Sequence, residues 1–387
     1  MSKLLPKFDC GLCGNPICMV LARRILLGLQ NPEDCKFIYQ ENLQKIQDLI
    51  PKKEEKRRHP HPNVEEDVIE INPCTEDGKV TLETQLKPRF GGIDLFGDFF
   101  DQIQLCNSLS EAEIFDKVNC SPKMGYGLVE IAGKRAHIFK TGKIIMRRAD
   151  NRDDALLTLA KISKIMMPAR ICSCGNILVD CLGGACNTCF KEECKALLDS
   201  LEVKDVEDYG YITIGELLGN KKDKVDENLM KNFKILKDIL TNVRKIFEGI
   251  REGNEIDKNN LIDKTDEESK SIYKNCTKCI LEHEDKADTM IALIQYGLAR
   301  DLMRARDGFF VSEGNKEKEL LNDAAELLFG AYERFDKKDL EGSKVIWEKY
   351  EKFRSSRDMK LTSIGPIKIA TNAFYISRIL GIRVPDL

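Results

Sequence analysis

Histidine and tryptophan are nearly missing from this chain, at four and one among 387 residues. None of the four histidines is placed for a facial triad or a Ser–His–Asp set, so ordinary hydrolytic chemistry has no visible constellation. No Gly-x4-Gly-Lys-Ser/Thr loop occurs, which argues against P-loop nucleotide hydrolysis. Gly125-Tyr-Gly127 lacks the third glycine of a dinucleotide fingerprint and reads as a turn. The Cys-x3-Cys-x2-Cys radical motif is absent as well. No apolar stretch approaches the ~20 residues that span a bilayer. The opening Met1-Ser-Lys-Leu-Leu-Pro reaches Asp9 and Cys10 too soon for a secretory signal. Charge of one sign is also lacking: 61 basic and 64 acidic residues leave a net −3, with no global pull toward nucleic acid or anionic membrane. The expectation is a soluble, cytoplasmic protein whose active chemistry is metal-based or belongs to a partner.

Cysteine is what the chain has in excess. Fifteen are present, most in tight clusters, in a long chain with no signal, and that pattern points to metal rather than to a disulfide framework. The first cluster is Cys10, Cys13, Cys18 and Cys35, spaced C-x2-C-x4-C-x16-C. Gly11 and Gly14 allow the backbone to turn around a bulky group and aim amide N–H groups at its sulfurs, offsetting the charge of four thiolates. Met19 to Leu27 reads as a mostly apolar helix closed by Gly28, and Pro32 turns the chain so that Cys35 can return. A cubane held by four thiolates is the natural occupant. Structural zinc is the alternative, and the x4 and x16 gaps and the glycines count against it. The second group is Cys172, Cys174, Cys181, Cys186, Cys189 and Cys194, with Leu182-Gly-Gly-Ala supplying flexible backbone. Six thiols exceed the needs of one tetrahedral ion, so a second iron–sulfur cluster or zinc is expected there. Cys276 and Cys279 lie between helical stretches, with His283 four residues on. They could complete the second site, bind a third metal, act as a dithiol or be a plain surface pair. Cys74, Cys106 and Cys120 stand alone and read as small buried hydrophobes.

The segment from Asp9 to Cys35 closely resembles the four-cysteine domain of the corrinoid iron–sulfur (gamma) subunit of acetyl-CoA decarbonylase/synthase and of the ferredoxin-like subunit of Rnf complexes. Ala22 and Gly28 match in the intervening helix. The resemblance implies a [4Fe–4S] cluster on Cys10, Cys13, Cys18 and Cys35 and a setting in low-potential one-carbon metabolism, as in methanogens. Heavy use of Lys, Glu and Ile fits an archaeal source. Nothing downstream resembles a corrinoid barrel, so cobalamin is not carried over.

Five segments are expected: a [4Fe–4S] domain at 1–50, a charged, Pro-broken linker at 51–63 whose His59 and His61 read as surface residues, an α+β domain at 64–170, a cysteine-rich metal segment at 171–200 and a helical domain at 201–387. The fold class is therefore α+β. Alternation predicts strands at 67–71, 78–86, 128–131, 136–139 and 144–148. A helix opening near Asp150 should bury Leu156, Leu159, Ile162 and Met166 and stop at Pro168. Residues 136–166 resemble half of the TATA-binding-protein fold. From Asp226 onward, 3.6-residue periodicity predicts a bundle of five or more helices.

These features favour an iron–sulfur electron-transfer or redox accessory protein, with protein partners in a redox or metalloenzyme complex. It would feed, or help to activate or mature, a metalloenzyme of anaerobic one-carbon metabolism. Two alternatives are a zinc-stabilised nucleic-acid-binding protein using Lys134, Arg135, Lys140, Lys143, Arg147 and Arg148, and a reductase with its active site at the second cysteine group.

Overall fold

The computed structural model describes residues 1–50, 68–71, 79–86, 98–171, 174–185, 211–220, 225–253, 257–282, 286–312, 318–355 and 363–385. His59, His61, Cys74, Cys172, Cys186, Cys189, Cys194 and His283 lie outside the described residues.

The amino-terminal segment wraps two short helices, α1 (Cys18–Leu26) and α2 (Gln40–Asp48), around Leu5, Leu21, Ile25 and Ile46. Helix α1 ends as predicted. Gly28 takes a left-handed φ of 69°, its N–H donates to the Ile25 carbonyl (3.0 Å), and the Leu29 N–H donates to Arg24 (2.9 Å). That double bond is the Schellman closure, which satisfies carbonyls the helix leaves orphaned.

Next comes a six-stranded antiparallel sheet: β1 (Val68–Ile71), β2 (Val80–Gln85), β3 (Lys117–Ser121), β4 (Tyr126–Ile131), β5 (Lys134–Phe139) and β6 (Lys143–Ala149), in the spatial order β1-β2-β6-β5-β4-β3. Alternation points Leu82, Val129, Ile131, Ala136, Ile138, Ile144 and Met146 to one face. The register between β2 and β6 shifts where Arg148 takes a φ of 64°, a bulge that turns Ala149 back into the core.

Two helices cover the buried face, α3 (Gln102–Ser110) and α4 (Arg152–Ile165). The Asn151 side chain, not Asp150, caps α4 by accepting from the Asp154 N–H at 2.9 Å. The buried stripe is Ala155, Thr158, Leu159 and Ile162, continued by Ile165 and Met166, and Leu156 is 37% exposed. Of the four residues expected inside, Leu159, Ile162 and Met166 are buried and only Leu156 turns outward, with Ala155 beside it on the inner face.

The remaining helices form a bundle: α5 (Ile214–Asn220), α6 (Glu227–Glu252), α7 (Lys258–Glu282), α8 (Lys286–Val311), α9 (Lys318–Asp336), α10 (Leu340–Ser355) and α11 (Ile364–Arg378). Asp226 caps α6 by accepting from the Asn228 and Leu229 N–H groups (2.8 and 3.3 Å), and Gly253 ends it in the left-handed region. Helix α8 is buried almost all round, with α6, α7 and α11 against it, so it forms the axis of the bundle. A two-stranded ribbon pairs β7 (Tyr211–Thr213) with β8 (Arg383–Pro385). The sheet unit leans on this bundle through α4 against α7 and through Gln104, whose Nε2 donates to the Tyr296 hydroxyl on α8.

Candidate metal centre

The loop that carries the first three cysteines is built from backbone conformations most residues avoid. Gly11 and Gly14 sit at φ of 77° and 83°, and the Gly14 N–H donates to the Gly11 carbonyl at 2.8 Å, closing a tight turn over Cys13. A Cβ at Gly11 would stand 2.3 Å from Thr371 Cγ2 on α11, so glycine is required there both by φ and by the approach of the bundle. Asp9 Oδ1 accepts from the Cys18 N–H (2.6 Å) and satisfies the exposed start of α1 from outside the helix. Buried Asn15 donates through Nδ2 to Cys13 Sγ (3.4 Å) and to Gln30 Oε1 (2.8 Å), and Gln30 Nε2 donates to the Cys13 carbonyl (2.7 Å). The two amides clasp Cys13 in place.

Cys35 returns by the turn that Pro32 predicts. Residues Pro32–Asp34 form one 3-10 turn, and the Asn31 N–H donates to Asp34 Oδ2 at 3.2 Å. Cys13, Cys18 and Cys35 then pack on the Leu21–Ile25 side of α1, while Cys10 and Leu12 press on Ile367 of α11 with Phe8 and Phe37 beside them.

The four thiols lie near enough to feel one another's charge. Burial pushes the Cys10 thiol up to about 12; a backbone N–H at Leu12 pulls it back, and the other three thiols add to the rise. Burial likewise raises Cys18 to about 11, opposed by the Asp9 backbone and aided by Asp9, Cys13 and Cys35. Cys35 is raised by burial and eased by the N–H groups of Phe37 and Ile38. Four thiols that repel one another as thiolates, with backbone N–H groups already turned to the sulfur, make a donor set that fits a cationic metal core. Among the described residues no three thiol, carboxylate or imidazole groups converge on a point where one ion could sit.

The second cysteine segment starts beside the first site. Cys174 is buried, and Arg23 of α1 donates through Nη1 to the next residue's carbonyl, that of Gly175, at 3.5 Å. The same guanidinium meets Asp101 at 3.3 Å, so a single arginine joins the cluster segment, this loop and the start of α3. Cys181 opens a π-type turn, Cys181–Ala185, in contact with α8 and α11.

Cys276 and Cys279 sit inside α7, not between helices, and neither is at the surface. Both are fully buried in the bundle core, where Asn232 Nδ2 donates to Cys276 Sγ at 3.4 Å. Cys106 and Cys120 do not stand alone either. They form a disulfide between α3 and β3, Cα atoms 5.4 Å apart. Neither α3 nor β3 is marked by strong periodicity, so the sequence held no sign that the two would meet.

Comparison with known proteins adds one domain. Residues 5–37 match the family described as "Putative Fe-S cluster". The acetyl-CoA decarbonylase/synthase complex subunit gamma of Methanopyrus kandleri is 43% identical over 47 residues, which is 12% of this chain and 10% of that subunit. The chain thus covers a tenth of the length of the curated relative it matches. No solved structure matches it. The amino-terminal segment is an iron–sulfur domain.

Proposed function

We propose that the chain is an iron–sulfur redox accessory protein of methanogen-type one-carbon metabolism. In this reading Cys10, Cys13, Cys18 and Cys35 hold a [4Fe–4S] cluster. The protein passes low-potential electrons to a metalloenzyme of that metabolism or takes part in its reductive activation or maturation, within a multiprotein complex. Four thiols near enough to feel one another's charge, with backbone N–H groups turned to them, in a segment that matches an iron–sulfur family, carry this reading. When bound, the cluster supplies a one-electron couple. The chain's own residues shape its surroundings: Asn15 and Gln30 fix Cys13, Asp9 fixes Cys18, and α11 closes over Cys10.

The second segment, Cys172, Cys174, Cys181, Cys186, Cys189 and Cys194, is proposed to hold a second iron–sulfur cluster or zinc, and Cys276 and Cys279, sealed inside α7 in the bundle core, are left out of that proposal. The Arg23 link from α1 to Gly175 supports a relay between the two segments, since it keeps them in direct contact. Nucleic-acid binding through the sheet is weakened by ion pairing at four of its six basic residues. Lys134, Arg135, Lys140 and Lys143 are each within 2.7 Å of a carboxylate of Asp154, Glu130, Asp98 and Glu83, respectively.

Anaerobic purification of the full chain, followed by iron, acid-labile sulfide and zinc analysis and by electron paramagnetic resonance after reduction, tests the cofactor. Iron and sulfide in equal amounts with a reduced-cluster signal are expected. Zinc without sulfide at the first site would overturn the proposal. Proteins that co-purify under strict anaerobiosis identify the partner, and a partner with no redox metal would sink the accessory role.

A further inference from the structure

One face of α11 lies along the first cysteine loop. Ile367, Thr371 and Tyr375 follow one another at four-residue spacing and so share that face. Ile367 packs with Cys10 and Leu12. Thr371 stands against Gly11, where its methyl group leaves no room for a Cβ. Tyr375, one turn further on, is near enough to Cys13 to feel its charge. The helix face and the loop therefore run in step, from Cys10 through Gly11 to Cys13.

Tyr375 is 2% exposed and is held from behind by the second cysteine segment, since a Cβ on Gly184 would collide with the Tyr375 carbonyl oxygen. Its hydroxyl has no hydrogen-bond partner, and no other tyrosine hydroxyl among the described residues is buried without one. Two other buried tyrosines of the bundle have theirs engaged. The Tyr350 hydroxyl lies 3.3 Å from Thr371 Oγ1, and the Tyr296 hydroxyl accepts from Gln104 Nε2. Tyr375 also feels Asp301 and Arg304 of α8, yet its hydroxyl is not spent on the carboxylate, whose Oδ2 is itself unbonded. Burying a hydroxyl costs free energy unless something accepts its proton. On the face that α11 turns to the cysteine loop, the acceptor the chain gathers is sulfur.

Cys13 already receives one donor, Asn15 Nδ2 at 3.4 Å, from the side of its own loop. An O–H from α11 would meet the same sulfurs from the bundle side. A thiol is a weak acceptor and a thiolate or bridging sulfide a far better one, so this bond gains its strength when the site is filled. An iron–sulfur centre takes on negative charge when it is reduced. A donor to its sulfurs therefore favours the reduced state and raises the potential.

We propose that the Tyr375 hydroxyl is a hydrogen-bond donor to the cluster sulfurs on the Cys13 side and raises the midpoint potential of the first site. The inference rests on the reading of that site as a [4Fe–4S] centre and assigns it a potential-setting residue from the far end of the chain.

A redox titration of the full chain, purified anaerobically and followed by electron paramagnetic resonance, tests it. Tyr375→Phe removes only the hydroxyl. Its iron and sulfide should match the native chain, while the reduced state becomes several-fold less favoured; tenfold would lower the midpoint by about 59 mV for a one-electron couple. Electron–nuclear double resonance of the reduced samples should lose one proton coupling that deuterium oxide also removes. Tyr332→Phe, on α9 beside Phe335, should change neither. An unchanged midpoint and proton spectrum in a cluster-loaded Tyr375→Phe would overturn the proposal, as would an equal shift in Tyr332→Phe. Should Tyr375→Phe lose its cluster, the native chain labelled throughout with fluorotyrosine, a stronger donor, should show a higher midpoint, and no rise there would overturn it. A native chain without iron and sulfide at the first site would instead sink the cluster reading itself, so the two failures are distinguishable.

Discussion

Two Cys-x2-Cys pairs in this chain share a spacing and little else. Cys10 and Cys13 flank a loop bent by left-handed glycines, whose backbone N–H groups have no helix or strand to join and turn to sulfur instead. Cys276 and Cys279 sit one turn apart in α7, where backbone N–H groups are committed to the carbonyls one turn back. Relief for Cys276 comes from elsewhere, from the Asn232 amide and the Tyr296 backbone, and burial together with Cys279 drives its thiol well above the ordinary range. Metal ligation by that pair would require two thiolates inside an apolar bundle. The spacing of a cysteine pair therefore sets its geometry, while the supply of free N–H groups and access decides whether thiolates are tolerated.

Substituting one cysteine of each pair gives the largest contrast. Cys13→Ser is expected to abolish the visible absorption and most of the iron of the first site. Cys276→Ala should keep both and lower stability by about 1 kcal/mol, as for a small truncation in a core. Iron analysis of the two proteins decides it, and loss of iron in Cys276→Ala would break the comparison.

The bundle interior that keeps Cys276 protonated should do the same to a carboxyl. Asp301 is raised from 3.8 to about 8 by burial. Its contribution to stability is full below the unfolded value and is lost as pH rises toward 8, because the unfolded chain releases the proton first. The slope is at most about 1.4 kcal/mol per pH unit. Chemical denaturation of the native chain and of Asp301→Asn across pH 4 to 8 should differ by this slope, and parallel curves would show that Asp301 is ionised in the fold.

Asp101→Ala leaves Arg23 buried without its partner and removes the cap from the Gln104 N–H. A loss of about 3–5 kcal/mol is expected, read as a shift in the urea midpoint, since stripping one member of a buried pair leaves an uncompensated charge. Cluster retention should fall with it, because Arg23 fastens α1 to the loop at Gly175. Gly11→Ala should cost less than Asp101→Ala, about 1–3 kcal/mol from the left-handed φ and the collision with Thr371. Thr371→Ala removes the atom that collides and should restore part of the loss, while the backbone strain persists. Full restoration would show that φ at position 11 is unimportant, and with it the contrast between loop and helix.

Much of the first site was legible in the sequence because its determinants are local. Gly28 closes α1 and Pro32 turns the chain to Cys35, each through backbone preferences that need no partner. The helices of the bundle were legible for the same reason, through periodicity. On α4 only Leu156 was misread, because spacing alone does not tell it from Ala155 at the edge of the buried stripe. Helix α3 and strand β3 went unseen, and with them the meeting of Cys106 and Cys120.

The sequence by itself determined the four-cysteine loop, its iron–sulfur character and the alternation and periodicity that make the chain α+β. These are written in φ preferences, ligand chemistry and apolar spacing, all of which act over a few residues. Tertiary structure alone decided that α11 closes over Gly11 and Cys10 and that Arg23 ties α1 to the second cysteine segment. It also decided that Arg300, Asp301 and Arg304, which along the chain look like the charges of a solvated helix, are drawn inward around Asp180. Burial is a property of what packs against a residue, and those neighbours lie more than a hundred positions away in sequence.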